Sequence, residues 1–162
     1  DGRAADVGER RGGVPPVQAA AEPTLDMRVV EVDGTWQQAG PLRFRGVRVE
    51  HVDHLECFGY LFERAGRTIA YSGDTRACDG LEELAKEADT LILECNSAHS
   101  DPALPLTHMD VDAVRGLRER HPGVPFVLTH LGADVADHLM GQPLADVVVP
   151  ADFDRLMSGA TN

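Results

Sequence analysis

The rhythm of the chain changes at Ser72–Thr75, and that change limits the folds open to it. Before this point the apolar residues alternate in short runs that read as strands: Met27–Val32, then a GTWQQAG turn, then Leu42–Val49. The segment FGYLFERAGRTIAYS reads as a hairpin, with strands Phe58–Glu63 and Thr68–Ser72 joined by the polar turn at 64–67. After SerGlyAspThr the spacing becomes helical. DGLEELAKEAD, residues 79–89, places Leu81, Leu84, Ala85 and Ala88 on one face, and TLILEC at 90–95 is a buried strand. Asp110 can cap a second helix running to about Glu119, with Val111, Val114 and Leu117 inward, and His121, Pro122 and Gly123 end it before the strand VPFVLTH. A strand in DVVVP and a short C-terminal helical turn complete the order. Strands in hairpins followed by βαβ units predict an α/β (α+β) domain: a largely antiparallel sheet with helices at about 79–88 and 111–120 on one face.

The 162 residues amount to one domain. Residues 1–24, rich in Gly, Ala and Pro without a hydrophobic period, read as a linker or disordered tail, leaving 25–162 as the domain. With 15 Lys+Arg against 27 Asp+Glu the formal charge is -12, which argues against independent nucleic-acid binding, since phosphates are held mainly by Lys and Arg. The three cysteines match neither a metal-binding spacing nor a disulfide framework, so a reducing cytoplasm is expected. No apolar run approaches the ~20 residues of a membrane helix, and no membrane association is expected.

Three polar clusters fall where strands end: HVDH at 51–54, SGDT at 72–75 and LTHLG at 128–132. Taken singly each has a plain reading. Gly-Asp after a strand is usually a turn closed by an Asx hydrogen bond, and a lone histidine at a strand end is usually a hydrogen-bonded rim residue. His99, His121 and His138 read as loop, helix end and exposed loop.

The ordered combination of V-x-H at 49–51, FGYLFE at 58–63, GRTIAYSGDTR at 66–76, ADTLILEC at 88–95, HMDVDAV at 108–114 and LTHLG at 128–132 resembles the metallo-β-lactamase superfamily, in its ribonuclease Z-like and lactonase-like branch. The resemblance runs from about Val29 to Phe153. It implies half of an αββα sandwich and a centre of two divalent metal ions, commonly zinc, with iron or manganese also suited to carboxylate and imidazole donors. Asp74 matches the bridging ligand and His130 the final ligand. His51 is favoured as the ligand before the hairpin because it ends the alternating strand, with His54 as the alternative. His108 matches a histidine that protonates the leaving oxygen. The reaction implied is attack by metal-bound hydroxide on an ester, lactone or phosphodiester. The family usually carries a hydroxyl residue where Asp110 stands, and the added negative charge disfavours an anionic phosphodiester.

The family signature His-x-His-x-Asp-His, which supplies further ligands, is not found in this sequence. The resemblance therefore implies the C-terminal half of the fold, with an incomplete ligand set and little hydrolysis by this chain alone. Expected partners are a small-molecule ester or phosphodiester, the other half of the fold, or a second copy. The competing reading is a metal-free half-fold serving as an interaction or structural module.

Overall fold

In the computed structural model the described residues, 29–151, build one seven-stranded sheet with three helices. The strands are β1 Gln37–Ala39, β2 Leu42–Val49, β3 Cys57–Arg64, β4 Arg67–Tyr71, β5 Thr90–Glu94, β6 Phe126–Thr129 and β7 Val147–Val148, and they lie side by side in chain order. The helices are α1 Asp79–Glu87, α2 Val111–Arg120 and α3 Val135–Gly141. Strands β1 to β4 pair antiparallel, whereas β4 to β7 pair parallel. The sheet is thus half parallel rather than largely antiparallel, because each connection after β4 crosses back over a face of the sheet before the next strand begins, as parallel pairing requires.

One face is packed. The cross-strand neighbours Leu61, Ala70, Leu91 and Phe126 are buried beneath Leu81 and Leu84 of α1 and Val114 and Leu117 of α2, forming a single core. Arg45 ties β2 to α1 through Glu83 and Glu87, and Glu82 ties α1 to Arg120 and His121 at the end of α2. On the opposite face Ile69 and Tyr71 remain exposed.

Several local expectations are corrected. Within the Met27–Val32 run the described residues 29–32 form no strand, and Val29 is 85 % exposed. The edge position beside β2 is taken instead by Gln37–Ala39, inside the segment expected to turn. The segment holding His138 is a helix, α3, rather than an exposed loop. Its onset lacks a side-chain cap because the Asp134 carboxylate accepts from the Ala98 N–H instead, so the usual helix-start signal is missing. The linker expected at 1–24 and the C-terminal helical turn lie outside the described residues. Among the described residues no helix is long and apolar enough to cross a membrane.

Candidate metal centre

The sheet's directions explain why residues far apart in sequence meet. Strands β4, β5 and β6 are mutually parallel, and β2, two antiparallel steps from β4, runs the same way. Their carboxyl ends therefore share one edge, the position where open α/β sheets present functional side chains. Val49 ends β2 two residues before His51, Tyr71 ends β4 three before Asp74, Glu94 ends β5, and Thr129 ends β6 one before His130.

At that edge single ligand atoms of Asp74, His108 and His130 lie within 4.8 Å of one another. His130 Nδ1 is 3.8 Å from an Asp74 oxygen, and the His108 and His130 rings stack at 5.4 Å between centroids. The side chains of Asp74, His108 and His130 are 43, 27 and 46 % exposed, so the centre is open to a ligand. His51 stands edge-on to the His108 ring at 4.7 Å, with Nδ1 2.7 Å from the Thr107 carbonyl. His54 is exposed in the turn leading to β3 and is not brought to this cluster. His121 caps the end of α2 as expected, while His99 and His138 form a separate edge-to-face pair.

Local backbone geometry supports the placement. Gly73 adopts φ +62°, the left-handed region that glycine enters freely, which turns the chain sharply so that Asp74 leaves the strand line. His130 itself has φ +49°, costly for a residue with a β-carbon and held here by the strand exit. Next to it, a β-carbon at Gly132 would collide with the Asn96 carbonyl.

Two residues that tie this arrangement together, Glu94 and Thr75, lie within the TLILEC and SGDT segments but carry no site role in the sequence reading. Glu94 is fully buried; one oxygen accepts the Thr75 backbone N–H at 2.9 Å and pairs with His108 Nδ1 at 2.8 Å, while the other has no hydrogen-bond partner. Burial pushes the Glu94 carboxyl above its ordinary range, against the Thr75 N–H and His108, which pull it down. Thr75, also buried, donates its hydroxyl toward the Glu50 and Arg76 carbonyls and so joins the exits of β2 and β4. The available signal was a carboxylate closing an otherwise apolar strand, TLILE, since a buried acid is rare unless it is paired.

His108 is delivered by the long connection between β5 and α2. That connection is pinched at its base by a bridge between Ser97 and Asp110, with Asn96 N–H bonded to the Met109 carbonyl and Val111 N–H to the Ser97 carbonyl. Asp110 caps α2 through the Ala113 N–H and also accepts the Ser100 N–H. Burial would raise its carboxyl, yet these bonds together with nearby His99 hold it below the ordinary range.

A family model described as "Beta-lactamase superfamily domain" matches residues 5–131. A ribonuclease Z of Thermobifida fusca (strain YX) is 27 % identical over 158 residues, covering 83 % of this chain and 50 % of that protein. The metallo-beta-lactamase fold protein YhfI from Bacillus subtilis is similar with a TM-score of 0.56 and 25 % identity, covering 66 % of this chain and 44 % of that one. An isothiocyanate hydrolase from Delia radicum gut bacteria aligns with a TM-score of 0.60 at 16 % identity over 77 % of this chain and 56 % of that one, a likeness of fold alone. The chain spans about half the length of the ribonuclease Z it matches.

Proposed function

Because the chain belongs to the β-lactamase superfamily, we propose that Asp74, His130 and His51 are its contribution to a metal-dependent hydrolase centre and that His108 is the proton donor. What supports this reading is that Asp74 and His130 converge with His108 at one sheet edge, donor atoms within 4.8 Å; His51 is not in that group and joins it only through its ring contact with His108 at 4.7 Å. One carboxylate with imidazoles is a donor set suited to zinc, iron or manganese, and Asp74 would be its acidic ligand. A divalent metal held by these residues would supply Lewis acidity and a water acidic enough to be nucleophilic near neutral pH.

The chain's own residues set the remaining conditions. With its hydrogen on Nδ1, His51 donates to the Thr107 carbonyl and keeps the Nε2 lone pair for a cation. His108 has Nδ1 engaged by Glu94, which leaves Nε2 to carry a proton toward the leaving oxygen of the substrate. The Glu94 carboxylate orients that ring and balances the imidazolium, making it a positioning residue. The substrate is an ester, a lactone or a phosphodiester. The free thiols Cys57, Cys78 and Cys95 accord with a cytoplasmic location.

Elemental analysis after dialysis against zinc tests the assignment. Asp74→Ala and Asp74→Asn should lose the metal. His108→Ala should keep it, and in the complete enzyme should lower turnover only. Loss of zinc from His108→Ala would make His108 a ligand and remove it from the role of acid. For the 162-residue chain the reading expects weak binding of a single ion, so tight binding of two ions would show the ligand set to be misassigned.

A further inference from the structure

The connection that delivers His108 borders an open pocket of about 280 Å³ beside the metal centre, lined by Asn96, Ser97, Leu104, Leu106, Thr107 and His108 among others. We propose that this cavity is the substrate-binding pocket and that it takes an uncharged ester or lactone carrying a short apolar group, rather than a phosphodiester. The inference rests on the hydrolase reading of the adjoining centre.

Charge argues first. No Lys or Arg lines the cavity among the described residues; its titratable side chains are His99, His108 and one carboxylate, Asp101, which adds negative charge. Asp110 adds another directly behind the wall, through its bond to the Ser100 N–H. A guanidinium that touches this connection is that of Arg76, which donates to the Leu106 carbonyl at 3.4 Å. Its remaining nitrogens are occupied by Glu50 at 3.1 and 2.9 Å, with Asp53 at 3.8 Å, so its charge is spent within the protein. Beyond the adjoining metal centre and the His99 and His108 imidazoles, a phosphodiester seated here would meet only carboxylates, whereas phosphate sites gain much of their hold from Arg, Lys or clustered backbone N–H groups.

Apolar surface argues second. Leu104 is 64 % exposed and Leu106 54 % exposed, and both border the cavity. Exposed leucines in a loop beside a catalytic centre are unfavourable in water and gain by covering an apolar substrate group. The volume lies near the lower end of small-molecule pockets, which suits a short chain or small ring. His108 is among the residues that line the cavity, so a substrate seated there can bring its leaving oxygen to the proposed proton donor.

The test uses the isotopically labelled 162-residue chain and two neutral-versus-anionic probes, ethyl butyrate and dimethyl phosphate, followed by backbone amide shifts. Ethyl butyrate should shift the Ser97, Leu104, Leu106 and Thr107 amides saturably, and dimethyl phosphate at the same concentrations should leave them in place. The double variant Leu104→Asp with Leu106→Asp, whose sites are exposed and leave the core intact, should weaken ethyl butyrate binding by about fivefold or more. Equal or stronger shifts with dimethyl phosphate, or no shift at these amides with either probe, would overturn the proposal. A parallel zinc titration separates the two readings. Zinc binding without ester binding defeats the pocket alone, and ester binding without zinc binding defeats the metal centre alone.

Discussion

Replacing Glu94 in two ways separates what its acceptor oxygen does from what its charge does. Alanine removes the acceptor of the buried Thr75 N–H, and an unpaired buried donor costs about 1–3 kcal/mol. The void left by the missing side-chain atoms adds about 1–2 kcal/mol. Relief of a buried carboxylate, one of whose oxygens lacks a partner, offsets part of this. The expected net loss for Glu94→Ala is therefore about 2–4 kcal/mol. Glu94→Gln keeps the acceptor and the shape while removing the charge; the cost of its unpaired amide nitrogen at the partnerless oxygen's place is offset by relief of the buried charge. This variant should fall within about 1 kcal/mol of the parent. Urea unfolding of the metal-free chain, followed by far-ultraviolet circular dichroism near neutral pH, reads both. At a slope of about 2 kcal/mol per molar urea the alanine variant should unfold roughly 1–2 M earlier than the parent, and the glutamine variant within about 0.5 M of it. If glutamine costs as much as alanine, the charge rather than the acceptor holds the strand exits together, and the account of Glu94 given above is wrong.

Three further outcomes are expected. Glu82 feels burial, which raises its carboxyl, but bonds from Arg120 and His121 prevail and hold it below its ordinary value of 4.5. Its contribution to joining α1 and α2 is thus present above pH 4.5 and lost as pH falls through the lowered value, so Glu82→Gln should flatten the acid side of a stability-versus-pH curve measured by thermal unfolding. Asp110→Ala should destabilise by about 1–2 kcal/mol through loss of the α2 cap, with Asp110→Asn recovering most of it in the same denaturation assay. Cys95 is fully buried and its thiol is pushed up to about 12, chiefly by burial, so iodoacetamide should label the half-buried Cys57 and Cys78 first in the native chain; early labelling of Cys95 by peptide mass mapping would contradict its placement.

How much of the centre was legible depended on whether strand direction could be inferred. His51, Asp74 and His130 each follow a run with clear strand periodicity, and the hairpin between β3 and β4 makes β2 and β4 co-directional, so their exits had to share an edge. His51 and His54 were harder to separate, because three residues in a turn carry no period; only the folded turn leaves His54 in solvent and His51 against His108. Glu94 and Thr75 were hidden because their importance lies in burial, which residue type alone does not reveal. Strand β1 was missed since QQA is short and polar, and it forms as an edge strand by pairing with Phe44, Arg43 and Leu42 rather than by its own propensity. Helix α3 was missed because the carboxylate that would announce it is used elsewhere.

The bridge between Ser97 and Asp110 has an evolutionary consequence. It closes the 98–109 connection at its neck, so β5 and α2 are already locked in register before the connection begins to wander. Residues such as Pro102, Leu104 and Leu106 can then be exchanged, lengthened or shortened without transmitting strain to the strand that bears Glu94 or the helix that Asp110 starts. On the proposed pocket, selection can retune the apolar wall while the scaffold beneath it stands still, which makes residues 102–106, short of Thr107 and His108, the natural place to randomise when a new specificity is sought.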